Sequence, residues 1–125
     1  MNNEQIMQRM VELKNAGRLK GMNAKGVSGT IQDGDVIKMF LVIDDKGIIQ
    51  DAKFKAFGCV VSIAVCDALC DIVRGKSIDI IHTIKESKII DTLGELPDDK
   101  YYCPKLALEA LSSAVKNWKK KQEKN

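Results

Sequence analysis

Two runs of alternating residues, joined by a short turn and followed at once by helical spacing, constrain this chain more than anything else in it. Ile37, Met39, Leu41 and Ile43 alternate with Val36, Lys38, Phe40 and Val42. Beyond Asp44-Asp45-Lys46-Gly47, Ile48, Ala52, Phe54 and Ala56 alternate with Ile49, Asp51, Lys53, Lys55 and Phe57. A period of two is the signature of a strand with one face on a core. A Gly-containing turn between two such runs predicts an antiparallel hairpin. Residues 27–32 read as a weaker third strand, which puts the sheet over residues 27–57.

At Gly58-Cys59 the pattern changes. Ile63, Val65, Cys66, Ala68, Leu69, Ile72 and Val73 make a broad helical apolar face, with Asp67, Asp71 and Arg74 on the opposite side. Gly75 is a natural stop. Ser77 and Ser87 each precede short isoleucine-rich stretches that read as capped helices. Pro104 suits the first turn of a long closing helix striped by Ala107, Leu111, Ala114, Val115 and Trp118. Upstream, Ile6, Met10 and Leu13 predict a helix over about residues 3–15. Gly17, Gly21 and Gly26 make residues 16–27 a loop. Helix, small antiparallel sheet, then helices is an α+β order. One domain over residues 1–125 is expected, with an N-terminal helix and loop over 1–26 and a helical part over 59–121.

Charge narrows the function. The net charge is +3, with both signs mixed along most of the chain. The one basic run, Lys116 to Lys124, reads as the solvated face of a terminal helix, so nucleic acid is not an expected partner. No apolar stretch reaches the length of a membrane span, and the first ten residues carry acid and no apolar core of a signal peptide. A cytoplasmic location, with reduced thiols, is therefore expected.

Four cysteines carry the candidate chemistry. Cys59 follows a strand and precedes a helix, where the positive end of the helix dipole favours the thiolate. Cys103 stands just before Pro104 at a second loop-to-helix junction. Asp33-Gly34-Asp35 is either a surface turn or a third element of the same site. Cys66 and Cys70 share one helical side. At 1.5 Å per residue Cys66 lies roughly 10 Å along the axis from Cys59. Two sulfurs on one zinc stay within about 4.6 Å of each other. Cys66 is therefore core, and Cys70, at the edge of the apolar face, is left open. His82 has no cysteine or carboxylate motif beside it, and no phosphate-loop, dinucleotide or serine-nucleophile pattern is present.

Taken in order, Gly34-Asp35-Val36-Ile37-Lys38, the stretch Ile49-Gln50-Asp51-Ala52-Lys53-Phe54-Lys55-Ala56-Phe57-Gly58-Cys59, Ser62-Ile63-Ala64, Gly75-Lys76-Ser77, Leu93-Gly94-Glu95-Leu96-Pro97, Tyr102-Cys103 and the Ala107 to Trp118 tail resemble the U-type iron–sulfur cluster scaffold family. The resemblance implies a protein that is not itself an enzyme. It would take sulfur from a cysteine desulfurase, bind iron or a [2Fe-2S] cluster, and pass the cluster to recipient apo-proteins. By position it implies Asp35, Cys59 and Cys103 as ligands and Cys103 as sulfur acceptor.

The sequence also departs from the family. Asp33 stands where the family has its first cysteine, and Tyr102 where it has a histidine. Leu96-Pro97-Asp98-Asp99-Lys100 replaces the chaperone-docking Leu-Pro-Pro-Val-Lys, so chaperone docking is not carried over. Two thiolates and two carboxylates (Asp33, Asp35, Cys59, Cys103) are harder than the usual cluster set and also suit Zn²⁺. Tyr102 and Cys70 are auxiliary candidates. A sulfur carrier that never holds a cluster, or a non-cluster regulatory domain of the same fold, are the alternatives.

Overall fold

The structure, a computed structural model, describes residues 3–124. Helix α1 (Glu4–Glu12) is followed by strands β1 (Ala24–Thr30), β2 (Asp35–Ile43) and β3 (Ile49–Phe57), then α2 (Val60–Val73). A 3-10 turn (Ile78–Thr83), α3 (Glu86–Leu93), a second 3-10 turn (Asp98–Lys100) and α4 (Cys103–Glu123) complete it. The expected α+β architecture is present: a three-stranded antiparallel sheet in the order β1-β2-β3, with a long closing helix.

The hairpin forms where the alternation places it. Asp44 builds the turn, its Oδ1 accepting from the backbone N–H of Lys46 and of Ile48, each at 2.9 Å. A register shift between Val42 and Ile43 brings Ile49 rather than Ile48 into the core. Strand β1 differs from expectation: it begins at Ala24, inside the stretch read as a loop. Gly26 is not a breaker there but a contact. A Cβ on it would fall 2.2 Å from the Ala110 carbonyl oxygen and 2.2 Å from the Ala114 nitrogen, so its absence lets α4 lie against β1. Ile37, Met39, Leu41 and Phe54 from the sheet meet Leu69 of α2 and Leu111 of α4 in one continuous core.

Helix α1 is capped by the Asn3 side chain, which accepts from the Ile6 N–H at 3.0 Å. It stops at Glu12 because Leu13 takes a left-handed φ of 40°. The chain then turns inward, and Asn15 is buried. This turn corrects one expectation. Asp67, read as solvent-facing, is only 1% exposed. Its Oδ2 accepts from Arg9 Nη1 at 2.7 Å and its Oδ1 from the Asn15 N–H at 3.1 Å. Arg9 also reaches Asp71 at 2.8 Å, and Arg74 bonds Asp71, Asp51, Asn15 and the Ala52 carbonyl. Buried charge survives when it is paired this completely. The network ties α1 and the following loop to α2 and the edge of β3.

Ser77 caps the first 3-10 turn, accepting from the Asp79 N–H at 3.1 Å. Helix α3 begins one residue before Ser87 and ends at Gly94. Pro104 lies in the first turn of α4, as expected. Among the described residues no helix is long and apolar enough to cross a membrane.

Candidate functional site

The end of β3 delivers Gly58 and Cys59 to the start of α2, where Cys59 is the N-cap residue in extended conformation. Ser62, in the first turn of α2 and fully buried, stands at the centre of the site. Its hydroxyl donates to Asp35 Oδ1 at 2.8 Å. The same oxygen lies 3.3 Å from Cys103 Sγ and 3.6 Å from Cys59 Sγ. Ser62 has one proton and two lone pairs for three neighbours, and in each serine–thiol pair either atom can be the donor.

Asp35, at the start of β2, is 6% exposed. Its second oxygen accepts from the Tyr102 hydroxyl at 2.6 Å. Two glycines make room for this residue. A Cβ on Gly58 would fall 2.2 Å from Asp35 Oδ1, and one on Gly29 would fall 2.1 Å from the Asp35 carbonyl oxygen. Beyond shaping a turn, Gly58 thus admits a carboxylate.

The two thiols differ. Cys59 is half-buried, whereas Cys103 is 0% exposed. Burial opposes the Cys59 thiolate, but it is outweighed by the backbone N–H and hydroxyl of Ser62, the N–H of Val61 and the charge of Lys100, so the thiol titrates below its usual range. At Cys103 burial dominates and pushes the thiol up, with Cys59 and Asp35 adding to it. The phenol of Tyr102 is held above its usual range by its bond to Asp35. The ammonium of Lys100 lies 5.8 Å from the Tyr102 ring centre.

Three of the four expected ligands, Asp35, Cys59 and Cys103, therefore converge on Ser62. The fourth does not join them. Asp33 is exposed, its Oδ2 accepts from the Thr30 hydroxyl at 2.8 Å, and its N–H bonds back to the same residue. Among the described residues no three His, Cys, Asp or Glu side chains are arranged to hold a metal ion. Tyr102 bonds Asp35 rather than either thiol.

Cys70 is corrected. It lies on the sheet side of α2, fully buried, its Sγ 3.8 Å from Met39 Sδ, and burial pushes its thiol up. Like Cys66 it packs in the core, and its polar contact is with Met39 rather than with Ser62. The sulfur-accepting role that the resemblance implies for Cys103 falls on a thiol closed to solvent. Ser62 was not singled out by spacing alone. The available signal was its place three residues after an N-cap cysteine, where a helix turns one side chain back over another.

A family model for the NifU-like N terminal domain matches residues 1–125. The iron-sulfur cluster assembly scaffold protein IscU of Haemophilus influenzae is 36% identical over 122 residues, covering 95% of this chain and 96% of that protein. Iron-sulfur cluster assembly protein 3 of Arabidopsis thaliana is 44% identical over 99 residues, 79% of this chain; the match spans 57% of that protein's length. The crystal structure of the N-terminal part of a nitrogen-fixing NifU-like protein from Brucella abortus superposes with a TM-score of 0.73 at 14% identity. That superposition covers 95% of this chain and 94% of the other, and at this identity it shows the shared fold.

Proposed function

The chain belongs to the family of NifU-like N-terminal domains, and on that premise we propose that it is a scaffold for iron–sulfur cluster assembly that takes its sulfur first at Cys59. One observation carries this reading. Cys59 is a half-buried thiol whose thiolate is favoured at the start of α2, and it shares a hydroxyl with Cys103 and Asp35.

Sulfur arrives as the outer sulfur of a persulfide on a donor protein, a cysteine desulfurase. The Cys59 thiolate attacks that sulfur, the donor's S–S bond breaks, and the donor leaves as a thiolate. Cys59 then carries the persulfide.

Iron enters as cargo. Cys59 and Cys103 supply soft donors and Asp35 an oxygen, provided that Asp35 exchanges its bonds from Ser62 and Tyr102 for the metal. Asp33 completes the set by leaving Thr30. With Asp33 where the family has a cysteine and Tyr102 where it has a histidine, a set of two sulfurs and two oxygens holds iron less selectively, and Zn²⁺ competes for the same four groups. A cargo held this way is released readily to recipient apo-proteins. Four free thiols suit a reducing compartment such as the cytosol.

The test is anaerobic incubation with a cysteine desulfurase, cysteine and Fe²⁺. One added sulfur on the Cys59 peptide by mass spectrometry, followed by brown colour and charge-transfer bands, is the expected result. If neither Cys59 nor Cys103 gains sulfur and the protein stays colourless, the reading fails. Added sulfur without colour favours the sulfur-carrier alternative, which the engagement of Asp33 with Thr30 supports.

A further inference from the structure

Two thiols of opposite character meet at one hydroxyl, and that pairing does more than supply ligands. Cys59 is open and Cys103 is closed. Both sulfurs lie within 3.6 Å of Ser62 Oγ, which keeps them within about 7 Å of each other, and Cys59 stands at the junction of a loop and α2. A part-exposed attacking thiol backed by a buried second one is the arrangement of a dithiol exchange centre, in which the second resolves what the first has bound.

We propose that Cys103 is a resolving thiol that releases sulfide from a persulfide on Cys59. This rests on the reading of Cys59 as the sulfur acceptor. The Cys103 sulfur attacks the inner sulfur of the Cys59 persulfide. A Cys59–Cys103 bond forms and the Cys59–sulfane bond breaks. The departing hydrosulfide takes up the proton from the Cys103 thiol and leaves as H₂S. The sulfane sulfur gains two electrons, and the two cysteine sulfurs lose them on becoming a disulfide. One sulfide per chain thus appears with no outside reductant, and an external dithiol of the thioredoxin class reopens the disulfide for the next round.

The rest of the site fits this step. Of the other thiols only Cys103 shares the Ser62 hydroxyl with Cys59: Cys66 lies two turns further along α2, roughly 10 Å at 1.5 Å per residue, and Cys70 faces Met39. Cys103 is shut away from bulk solvent, so small oxidants and competing donors do not reach it before Cys59 is loaded. With Asp33 where the family has a third cysteine, that position supplies no rival thiol, and Cys103 is left as the single resolving partner.

The experiment loads the full chain anaerobically, without iron, and in two ways: with a cysteine desulfurase plus cysteine, and with glutathione persulfide, which bypasses the enzyme. After desalting, free sulfide, free thiols and cysteine-containing peptides are measured. The parent is expected to release close to one sulfide per loaded chain and to show a Cys59–Cys103 linked peptide. Cys103→Ser and Cys103→Ala should keep the persulfide on Cys59 and release at least tenfold less sulfide. Cys66→Ala should behave as the parent. Equal sulfide release from the Cys103 variants, or a parent that holds its persulfide indefinitely, overturns the proposal. Failure of the enzymatic arm with success of the glutathione persulfide arm counts against the desulfurase as donor and leaves the resolving step standing. Failure of Cys59 to gain sulfur in either arm overturns both.

Discussion

Two buried polar networks hang on α2, and they are built on opposite plans. Toward its C-terminal half, Asp67 and Asp71 face Arg9 and Arg74, with Asn15 filling the gaps. Every anion there has a cation. At the N-terminal end, Asp35 is bonded only by the hydroxyls of Ser62 and Tyr102, with two thiols alongside. Among the described residues no lysine or arginine pairs with it. The first network is closed in charge and holds the fold. The second leaves a carboxylate without a countercharge, so a cation that enters finds an uncompensated partner. Charge balance therefore separates the clamp from the candidate site more clearly than burial does, since each has a buried carboxylate at its centre.

The comparison breaks most visibly at Asp67. Asp67→Ala takes one of the two carboxylate partners from Arg9 and the acceptor from the buried Asn15 N–H, and should cost about 3 kcal/mol in denaturant unfolding. Sulfur loading of Cys59, counted per folded molecule, should not change. Equal loss of loading and of stability would show that the networks are coupled rather than separate.

The next effect is acid. Burial opposes the Asp71 carboxylate, but Arg9, Asn15, Lys14 and Arg74 bring it down to about 2. A folded-state value below the unfolded one of 3.8 means that the stabilisation is complete above roughly pH 4 and is lost as pH falls through 2. Its size is roughly 2 kcal/mol. Unfolding midpoints of the parent should therefore drop between pH 5 and pH 2.5 by more than those of Asp71→Asn. Parallel curves would remove Asp71 from the clamp.

The site network is worth less in stability and more in reactivity. Ser62→Ala should cost about 1 kcal/mol. It also removes one bond that favours the Cys59 thiolate, so the midpoint of iodoacetamide alkylation against pH should move up; an unmoved midpoint would deny Ser62 this part. Tyr102→Phe should have the smallest effect on folding, about 0.5 kcal/mol, because the phenol is largely exposed. It frees one Asp35 oxygen and should tighten Fe²⁺ binding several-fold by equilibrium dialysis. Weaker binding would make Tyr102 a support of the site instead of a restraint on it.

Local pattern revealed what local physics decides. The hairpin followed from alternation around Asp44–Gly47, and the start of α4 from Pro104. Position in a family resemblance named Asp35, Cys59 and Cys103, and the fold brings these three together around Ser62. What escaped depends on distant partners. Asp67 looked solvent-facing because its cation, Arg9, lies 58 residues away. Gly26 looked like a breaker because nothing nearby in sequence announces that a helix backbone will press on it. Asp33 was expected to serve as a ligand, and its attachment to Thr30 was missed although the three-residue spacing of a hydroxyl and a carboxylate was in plain sight.

Gly26 has one further consequence. It is the fulcrum on which α4 rests, at Ala110 and Ala114. Cys103 sits at the tip of the arm, about seven residues from Ala110, or about 10 Å at 1.5 Å per residue. Any side chain at position 26 would lift the arm, and the sulfur at its tip would swing away from the loop that carries Cys59. A single hydrogen atom on an edge strand thus gauges the spacing of the two thiols.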